Sequence, residues 1–434
     1  MKFGIKPRLE FASPAAQHKI QESLLRRHLA NVLRHSPFYS EQLAALKIRP
    51  ARFRLADLAS LPFTDKAVLE ERNDEFLASP ASRVVDIVLS SGTTGKPTRI
   101  MYTEQDLQRL AYNEKISFAS CGFTADDVVL LTCTMDRCFV AGLAYFLGIR
   151  SLGAAAIRNG NASLDSHAEI LQRLKPTALV GVPTFLRKLG LFMKENGLDP
   201  ASTAVRKLVC IGEPLRDAKF KPLKLGVDLE ALWKAKAFST YASSEIVTTF
   251  CECRAQQGGH LHPDLGIVEI VDEQGRPVPS GTPGEIVVTP LAVEGMPLIR
   301  FKTGDVSFLV EKTCACGRHS PRLGPIIGRK KQMLKVRGTT LYPQAIFSAL
   351  EEIPGMSEYY LLVSSQDDLS DDIEVHVAAQ PGFVVSVEQV EAKLQSRLRV
   401  KPRVRIEPVE RVRQQVFTAK SRKPIRFFDL RIKN

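Results

Sequence analysis

The chain has 434 residues, 44% of them hydrophobic and 25% charged, with a formal net charge of +13. That describes a globular protein with ample core, of a length that holds two domains. The Lys and Arg residues are spread without a polybasic arm, which argues against nucleic acid and leaves anionic surfaces or anionic small substrates as partners for a basic chain.

The opening "MKFGIKPRLEF" carries no apolar run after its basic residues, so no secretory leader is expected. No window approaches the roughly 18 apolar residues of a spanning helix. The expectation is a soluble, cytoplasmic protein whose eight cysteines are free thiols or metal ligands. Ser13-Pro14 predicts a cap and first turn, Ile20, Leu25, Leu29 and Val32 continue at helical spacing, and Pro37 closes that helix. From about residue 84 to 290, "VVDIVLS", "DVVLLTC", "TALVGV" and "KLVCIG" read as buried strands, each followed by a Gly- or Pro-bearing loop and a helix. That alternation predicts an α/β sheet with ligand loops at the carboxyl ends of its strands. After Gly266 the rhythm changes to hairpins, in "GIVEIVD", "GEIVVTP", "PLIRF" and "DVSFLVE", which predicts an attached β subdomain. A boundary falls at Arg329-Lys330-Lys331, giving domains 1–328 and 329–434. The second is a smaller α+β unit, in which Val387, Val390, Leu394 and Leu398 share a helix face and "VRIEPV" is a strand.

One stretch stands out for chemistry. The strand ending at Leu89 runs into Ser90, Ser91, Gly92, Thr93, Thr94, Gly95 and Lys96, then Pro97. Glycines allow a backbone close to phosphate, successive amides form an anion nest, hydroxyls add donors and the lysine adds a charge. The spacing is not that of the common nucleotide P-loop, since two residues rather than four separate Gly92 from Gly95-Lys96. A surface loop is the plain alternative.

"LSSGTTGKPT" resembles the phosphate-loop signature of the adenylate-forming superfamily, the acyl-CoA synthetases and their kin. "LASLPFTDKAVLEE", "KPTRIMYTEQDL", "GVPTFL", "IGEPLR", "IRFKTGD" and "IIGRKKQMLKVRGTTLYPQAI" extend the likeness, in family order, to the phenylacetate–coenzyme A ligase branch. The resemblance implies a large N-terminal adenylation domain and a mobile C-terminal lid. It implies an AMP-forming ligase that joins a carboxylic acid to coenzyme A through an acyl-adenylate, with ATP and Mg²⁺. Residues 90–96 would hold the phosphates of ATP, and Gly212, Glu213 and Pro214 would contact adenine. In "YASSE", Tyr241 would stack on the base, Ser244 face phosphate and Glu245 help hold Mg²⁺; Ala242 stands where the family carries glycine. Asp305 and Arg329 would receive the ribose. Lys331 falls at the hinge, and Lys335 and Gly338 would lie near the thiol. A lysine near the C-terminus would stabilise charge in the first step. Lys423 matches by count from Phe427-Phe428-Asp429, although Arg422 stands where glycine is expected, and Lys420 is the second candidate.

Cys253 and His260, with Cys314 and Cys316, form a separate set. Both pairs flank hairpins, and three thiolates with one imidazole make a closed tetrahedral zinc site of the structural kind; free thiols are the alternative. Cys251 and His262 are spare candidates. Cys121, Cys133, Cys138 and Cys210 read as core. The segment "CTMDRCFVAGLAYFLGIRSLGAA" resembles the family's acyl-pocket lining, with Phe139, Leu143, Phe146 and Leu147 a stripe that in most helices is core. Lys66 is either a substrate contact or a helix-start charge. The expected partners are a small carboxylic acid, ATP and CoA, without nucleic acid or membrane, and a homodimer is compatible with them. Two rival readings remain at this point. One keeps the adenylate but passes the acyl group to a carrier protein or a protein cysteine; the other is a non-catalytic, zinc-containing nucleic-acid-binding protein.

Overall fold

The structure, a computed structural model, describes residues 9–90, 98–336, 339–367, 370–417 and 424–431. The chain divides into two compact units, Met1–Thr303 with Ser307–Ile326, and Gly304–Val306 with Ile327–Asn434.

In the larger unit, α1 (Pro14–His35) starts at Ser13, whose hydroxyl accepts the Ala16 N–H, and it buries Leu25, Leu29 and Val32. Pro37, which ends α1, also opens α2 (Pro37–Gln42), because a proline at the first helical position loses no hydrogen bond. The short α3 (Lys66–Glu71) is capped by Asp65, whose carboxylate accepts the Val68 N–H at 3.0 Å. Next come β1 (Val84–Ser90) and β2 (Thr98–Thr103), an antiparallel hairpin that forms a sheet of its own. This corrects the expectation of a buried strand at 84–90: Val85, Ile87 and Leu89 are exposed while Val88 and Ser90 face inward. A β-branched run shows that a strand forms, but not whether both of its faces are covered.

After α4 (Glu104–Ser120), the expected parallel sheet appears. It consists of β3 (Val128–Leu131), β4 (Ala155–Arg158), β5 (Ala178–Gly181), β6 (Lys207–Ile211), β7 (Lys236–Ser243) and the antiparallel β8 (Thr248–Cys251), in the order β4-β3-β5-β6-β7-β8. Its crossovers carry α5 (Val140–Leu152), α6 (Leu164–Leu174), α7 (Pro183–Glu195) and α8 (Lys224–Trp233). Leu130, Leu179, Val180 and Leu208 are sealed from solvent, as strands covered on both faces require. The strand order reverses between β3 and β5, and the loops leaving their carboxyl ends flank the place where such sheets hold ligands.

The β subdomain contains β9 (Gly259–His260), β10 (Gly266–Val271), β11 (Gly284–Pro290), β12 (Phe301–Ser307), β13 (Leu309–Val310) and β14 (Arg322–Leu323). β10 and β11 pair antiparallel, and β14 lies between β13 and β9. The run "PLIRF" is not itself a strand. Arg300 turns left-handed at φ 45° just before β12, held by a buried two-point pair with Glu269 at 3.0 Å.

The smaller unit pairs residues 305–306 with β15 (Gly328–Arg329) and folds β16 (Leu334–Val336) against β17 (Thr339–Leu341). α9 (Pro343–Glu351) follows. The four-stranded sheet comprises β18 (Met356–Asp367), β19 (Ser370–Ala379), β20 (Arg403–Ile406) and β21 (Phe427–Asp429), in the order β20-β19-β18-β21. α10 (Val387–Leu398) buries Val390 and Leu394 on the expected face, and α11 (Val409–Val416) buries Val412 and Val416. No helix among the described residues is long and apolar enough to cross a membrane.

Candidate active site

The β1–β2 hairpin pairs Ser90 with Thr98, the described residues on either side of 91–97. Ser91, Gly92, Thr93, Thr94, Gly95 and Lys96 themselves lie outside the described residues. Beside Ser90, at that end of the hairpin, is Glu245, buried, with its Oε1 3.1 Å from Lys66 Nζ. Burial alone would raise the Glu245 carboxyl. The Lys66 ammonium, the Glu245 backbone N–H and the Ser90 hydroxyl together hold it below its ordinary value. Lys66 opens α3, so its backbone position is that of a helix start while its ammonium faces Glu245.

The turn carrying Glu245 is tied down on both sides. Tyr102 of β2, itself buried, donates its hydroxyl to the Ser244 carbonyl at 3.0 Å. Val247 holds φ 50°, a left-handed conformation that a β-branched residue adopts only under constraint. Arg109 of α4 supplies that constraint. Its guanidinium donates to the carbonyls of Val247, Leu265 and Leu291 and to the Thr248 hydroxyl, the last two at 2.7 and 3.0 Å. Burial lowers its pKa to about 10, and Asp106 and Asp264 oppose that shift. The same helix face brings Asn113, whose side chain pairs with the backbone of Thr249 on the sheet's edge strand, donating to its O at 3.0 Å and accepting from its N–H at 2.7 Å. Glu114, one residue on, bonds the Thr249 hydroxyl.

A second feature forms where β6 ends. Gly212 turns at φ 74° into Gly212-Glu213-Pro214, and the parallel rung Ile211↔Thr240 sets that turn beside Tyr241. The Tyr241 ring lies parallel to Phe250 of β8, with centroids 6.5 Å apart. Glu213 does not point its side chain into this space. Its two carboxylate oxygens accept the N–H and the hydroxyl of Thr184, each at 3.0 Å, at the start of α7, where the helix dipole favours an anion. The Glu213 side chain is therefore held away from a ligand in this space.

Within the smaller unit, Asp305 and Arg329 face each other across the β12–β15 rung and pair at 3.3 Å. Lys335 has an exposed side chain, and its backbone N–H donates to Asp371 at 2.6 Å. Lys331 lies in the short turn Lys330–Gln332. Gly338, Lys420 and Lys423 fall outside the described residues.

Cys253, His260, Cys314 and Cys316 converge, with their ligand atoms all within 4.8 Å of one another. Cys253 and Cys314 Sγ are 3.7 Å apart, and Cys316 Sγ is 3.4 Å from His260 Nε2. The pairing of β9 with β14 makes this meeting, since it sets His260 opposite Arg322. His260 Nδ1 lies 3.3 Å from the Ser320 hydroxyl, a contact that fixes the ring with Nε2 toward the thiols. The donor set, its closeness and the oriented imidazole suit a tetrahedral zinc ion. Neither spare candidate joins them. Cys251 lies 3.3 Å from Cys121 in the core, and His262 is buried apart.

Two sequence readings need correction. Cys138 is not core but exposed, at φ 54°, in the loop before α5. The stripe Phe139, Leu143, Phe146 and Leu147 is the half-covered side of α5, with Phe139 exposed; the buried side is Ala144, Tyr145, Gly148 and Ile149. Gly148 is required there, because a Cβ would sit 2.2 Å from that of Glu114.

Comparison with known proteins agrees with this arrangement. Residues 17–293 match the AMP-binding enzyme family, and residues 338–431 match the AMP-binding enzyme C-terminal domain. The phenylacetate-coenzyme A ligase of Thermus thermophilus is 32% identical over 400 residues, 89% of this chain and 88% of that protein. That of Escherichia coli is 27% identical over 380 residues, 85% of this chain and 84% of its own length. A crystal structure of 2-hydroxyisobutyryl-CoA ligase with its adenylate superposes with TM-score 0.86 at 21% identity, covering 96% of this chain and 90% of that one, a likeness of fold. The chain belongs to the AMP-binding enzyme family.

Proposed function

We propose that this chain is an ATP-dependent, AMP-forming carboxylate–CoA ligase. The observation that carries the reading is the buried Glu245, held ionised beside Lys66 at the root of the glycine- and threonine-rich loop. An anionic nucleotide needs that combination of cation, carboxylate and backbone donors. The likeness to phenylacetate–CoA ligases along nearly the whole chain supports the same reading.

In the first step the substrate carboxylate attacks the α-phosphate of ATP, and pyrophosphate leaves toward residues 90–96. Mg²⁺, when bound at Glu245, would neutralise phosphate charge. Lys66 shares that carboxylate and adds a cation from the protein side. Tyr241 and the backbone of 212–214 hold the base, Asp305 and Arg329 the ribose, and Lys423 or Lys420 the charge at the carboxylate. In the second step the smaller unit turns about the Lys331 region, and the CoA thiol, guided past Lys335, displaces AMP. Cys253, His260, Cys314 and Cys316 would hold zinc in a closed set with no open position, so the ion would stabilise the fold.

Carboxylate-dependent ATP–pyrophosphate exchange over a panel of aryl and alkyl acids tests the first step. CoA-dependent AMP release then separates a CoA acceptor from a carrier protein. Exchange with no acid, together with no binding of ATP, would refute the proposal.

A further inference from the structure

We infer that Arg216 and Glu252 are positioning residues that set the width of the base slot between the Gly212–Pro214 turn and Tyr241. Both are charged yet nearly sealed from solvent, at 7% and 2% exposed. The inference rests on the reading of that space as the nucleotide's base slot.

The β6–β7 ladder ends at the rung Ile211↔Thr240. Past that rung, side chains tie the chain leaving the turn back to β7 and so help to set the separation of the two walls. Arg216 Nε donates to Glu252 Oε1 at 2.9 Å, and its Nη2 donates to the Ala237 carbonyl at 3.1 Å. Glu252 in turn grips β7. Its Oε2 accepts the Ser239 N–H at 2.9 Å, and its own N–H donates to the Ser239 carbonyl at 3.0 Å. Ser239 lies two residues before Tyr241, and Arg216 two residues after Pro214. The pair therefore joins the two walls at equal chain distance from each.

The turn is held from the other direction by Glu213 on Thr184. Glu213 links the turn to the start of α7, and Arg216 links the chain two residues on to Glu252 and the strand of Tyr241, while Leu223 N–H bonds the Leu215 carbonyl between them at 2.8 Å. With the Arg216 tie gone, the turn relaxes toward α7 and the slot opens. A planar base held by stacking and by fixed backbone groups then loses contact on one side, while the carboxylate substrate does not depend on this spacing.

Removing one partner would leave the other as an unpaired buried charge, so the test replaces both with apolar side chains of similar volume. Binding of radiolabelled ATP and GTP by equilibrium dialysis, alongside exchange kinetics, is measured for the full-length wild type, the Arg216→Met/Glu252→Leu double variant and Arg216→Lys. The expected result for the double variant is a rise in Kd and KM for ATP of about tenfold, a reduced ATP-over-GTP preference and a KM for the acid within about twofold of wild type. Arg216→Lys, which keeps the charge but reaches only one acceptor, is expected to weaken ATP binding severalfold. Metal content is measured in parallel because Glu252 adjoins Cys253. Wild-type ATP affinity and base preference in a folded double variant, or in Arg216→Lys if the double variant does not fold, would overturn the inference. A wild type that binds no ATP would overturn the slot reading itself.

Discussion

Lys66 Nζ and Glu245 Oε1 lie 3.1 Å apart, joining the first residue of a six-residue helix to a strand-end turn almost 180 positions later in the chain. The pair is mostly shielded from water, so its attraction is stronger than that of a surface ion pair. A lysine here supplies fixed positive charge where phosphates would gather, independently of any metal. Lys66→Met is expected to reduce ATP–pyrophosphate exchange on the order of 10²-fold, the typical cost of one well-placed electrostatic contact. Lys66→Arg should restore part of it. Exchange at wild-type rate in Lys66→Met would reduce Lys66 to a helix-start charge.

Glu114 gives a prediction about pH. Burial pushes its carboxyl up to about 7, against the opposing hydrogen bond of Thr249. Between the unfolded carboxyl pKa of about 4.3 and about 7, the folded state binds a proton that the unfolded state has lost, so stability falls as pH rises through that window. The full loss is about 4 kcal/mol, reached above pH 7. Glu114→Gln, which keeps the size and the hydrogen-bonding end, should remove this slope. Urea unfolding of both proteins at pH 5 and pH 8 reads it directly: the variant gains relative to wild type at the higher pH. Parallel losses in the two proteins would mean that Glu114 is ionised throughout.

The thiol–imidazole cluster predicts about one equivalent of zinc after chelator-free purification. Cys314→Ser should lower that equivalent and the unfolding temperature together, since a structural ion stabilises only the folded state. Because the set is closed, the variant's residual activity at low temperature should keep the wild-type KM for the acid. Elemental analysis showing no metal would leave a buried group of free thiols.

What the sequence revealed, and what it hid, follows from how each feature is encoded. The alternation of β-branched runs with helical patterns predicted β3, β5 and β6, because strands covered on both faces must be apolar throughout. The metal set was legible because its ligands flank hairpins. The polar face of α4 was not. Asp106, Arg109, Asn113 and Glu114 recur at helical spacing and would be read as the solvent side, yet all four are buried. Arg109 donates to a carbonyl of the Glu245 turn, Asn113 and Glu114 bond Thr249 of the edge strand, and Asp106, besides capping α4, accepts the N–H groups of Glu294 and Gly295, all partners more than a hundred residues away that no local pattern announces. Arg216 and Glu252 were hidden for the same reason, since pairing across 36 residues is invisible to periodicity. Lys66 was noticed, but its role needed the distance to Glu245.

The last prediction concerns the lysine that would complete the first step. Lys420 and Lys423 both lie between α11 and β21, three residues apart, outside the described residues. What is fixed is the frame around them. Ile425 N–H bonds the Val416 carbonyl at 2.8 Å. Arg426, at the exit, pairs with Glu358 at 3.1 Å and lies over the Tyr359 ring. In sequence Lys423 stands two residues before Ile425, and Lys420 five before it. A group that must meet developing charge within a few tenths of an ångström is better served by the position nearer in sequence to the bonded Ile425. Lys423→Ala is therefore expected to abolish adenylate formation, on the order of 10²–10³-fold, while ATP still binds. Lys420→Ala should lose less than tenfold. Full activity in Lys423→Ala with a dead Lys420→Ala would move the assignment three residues back.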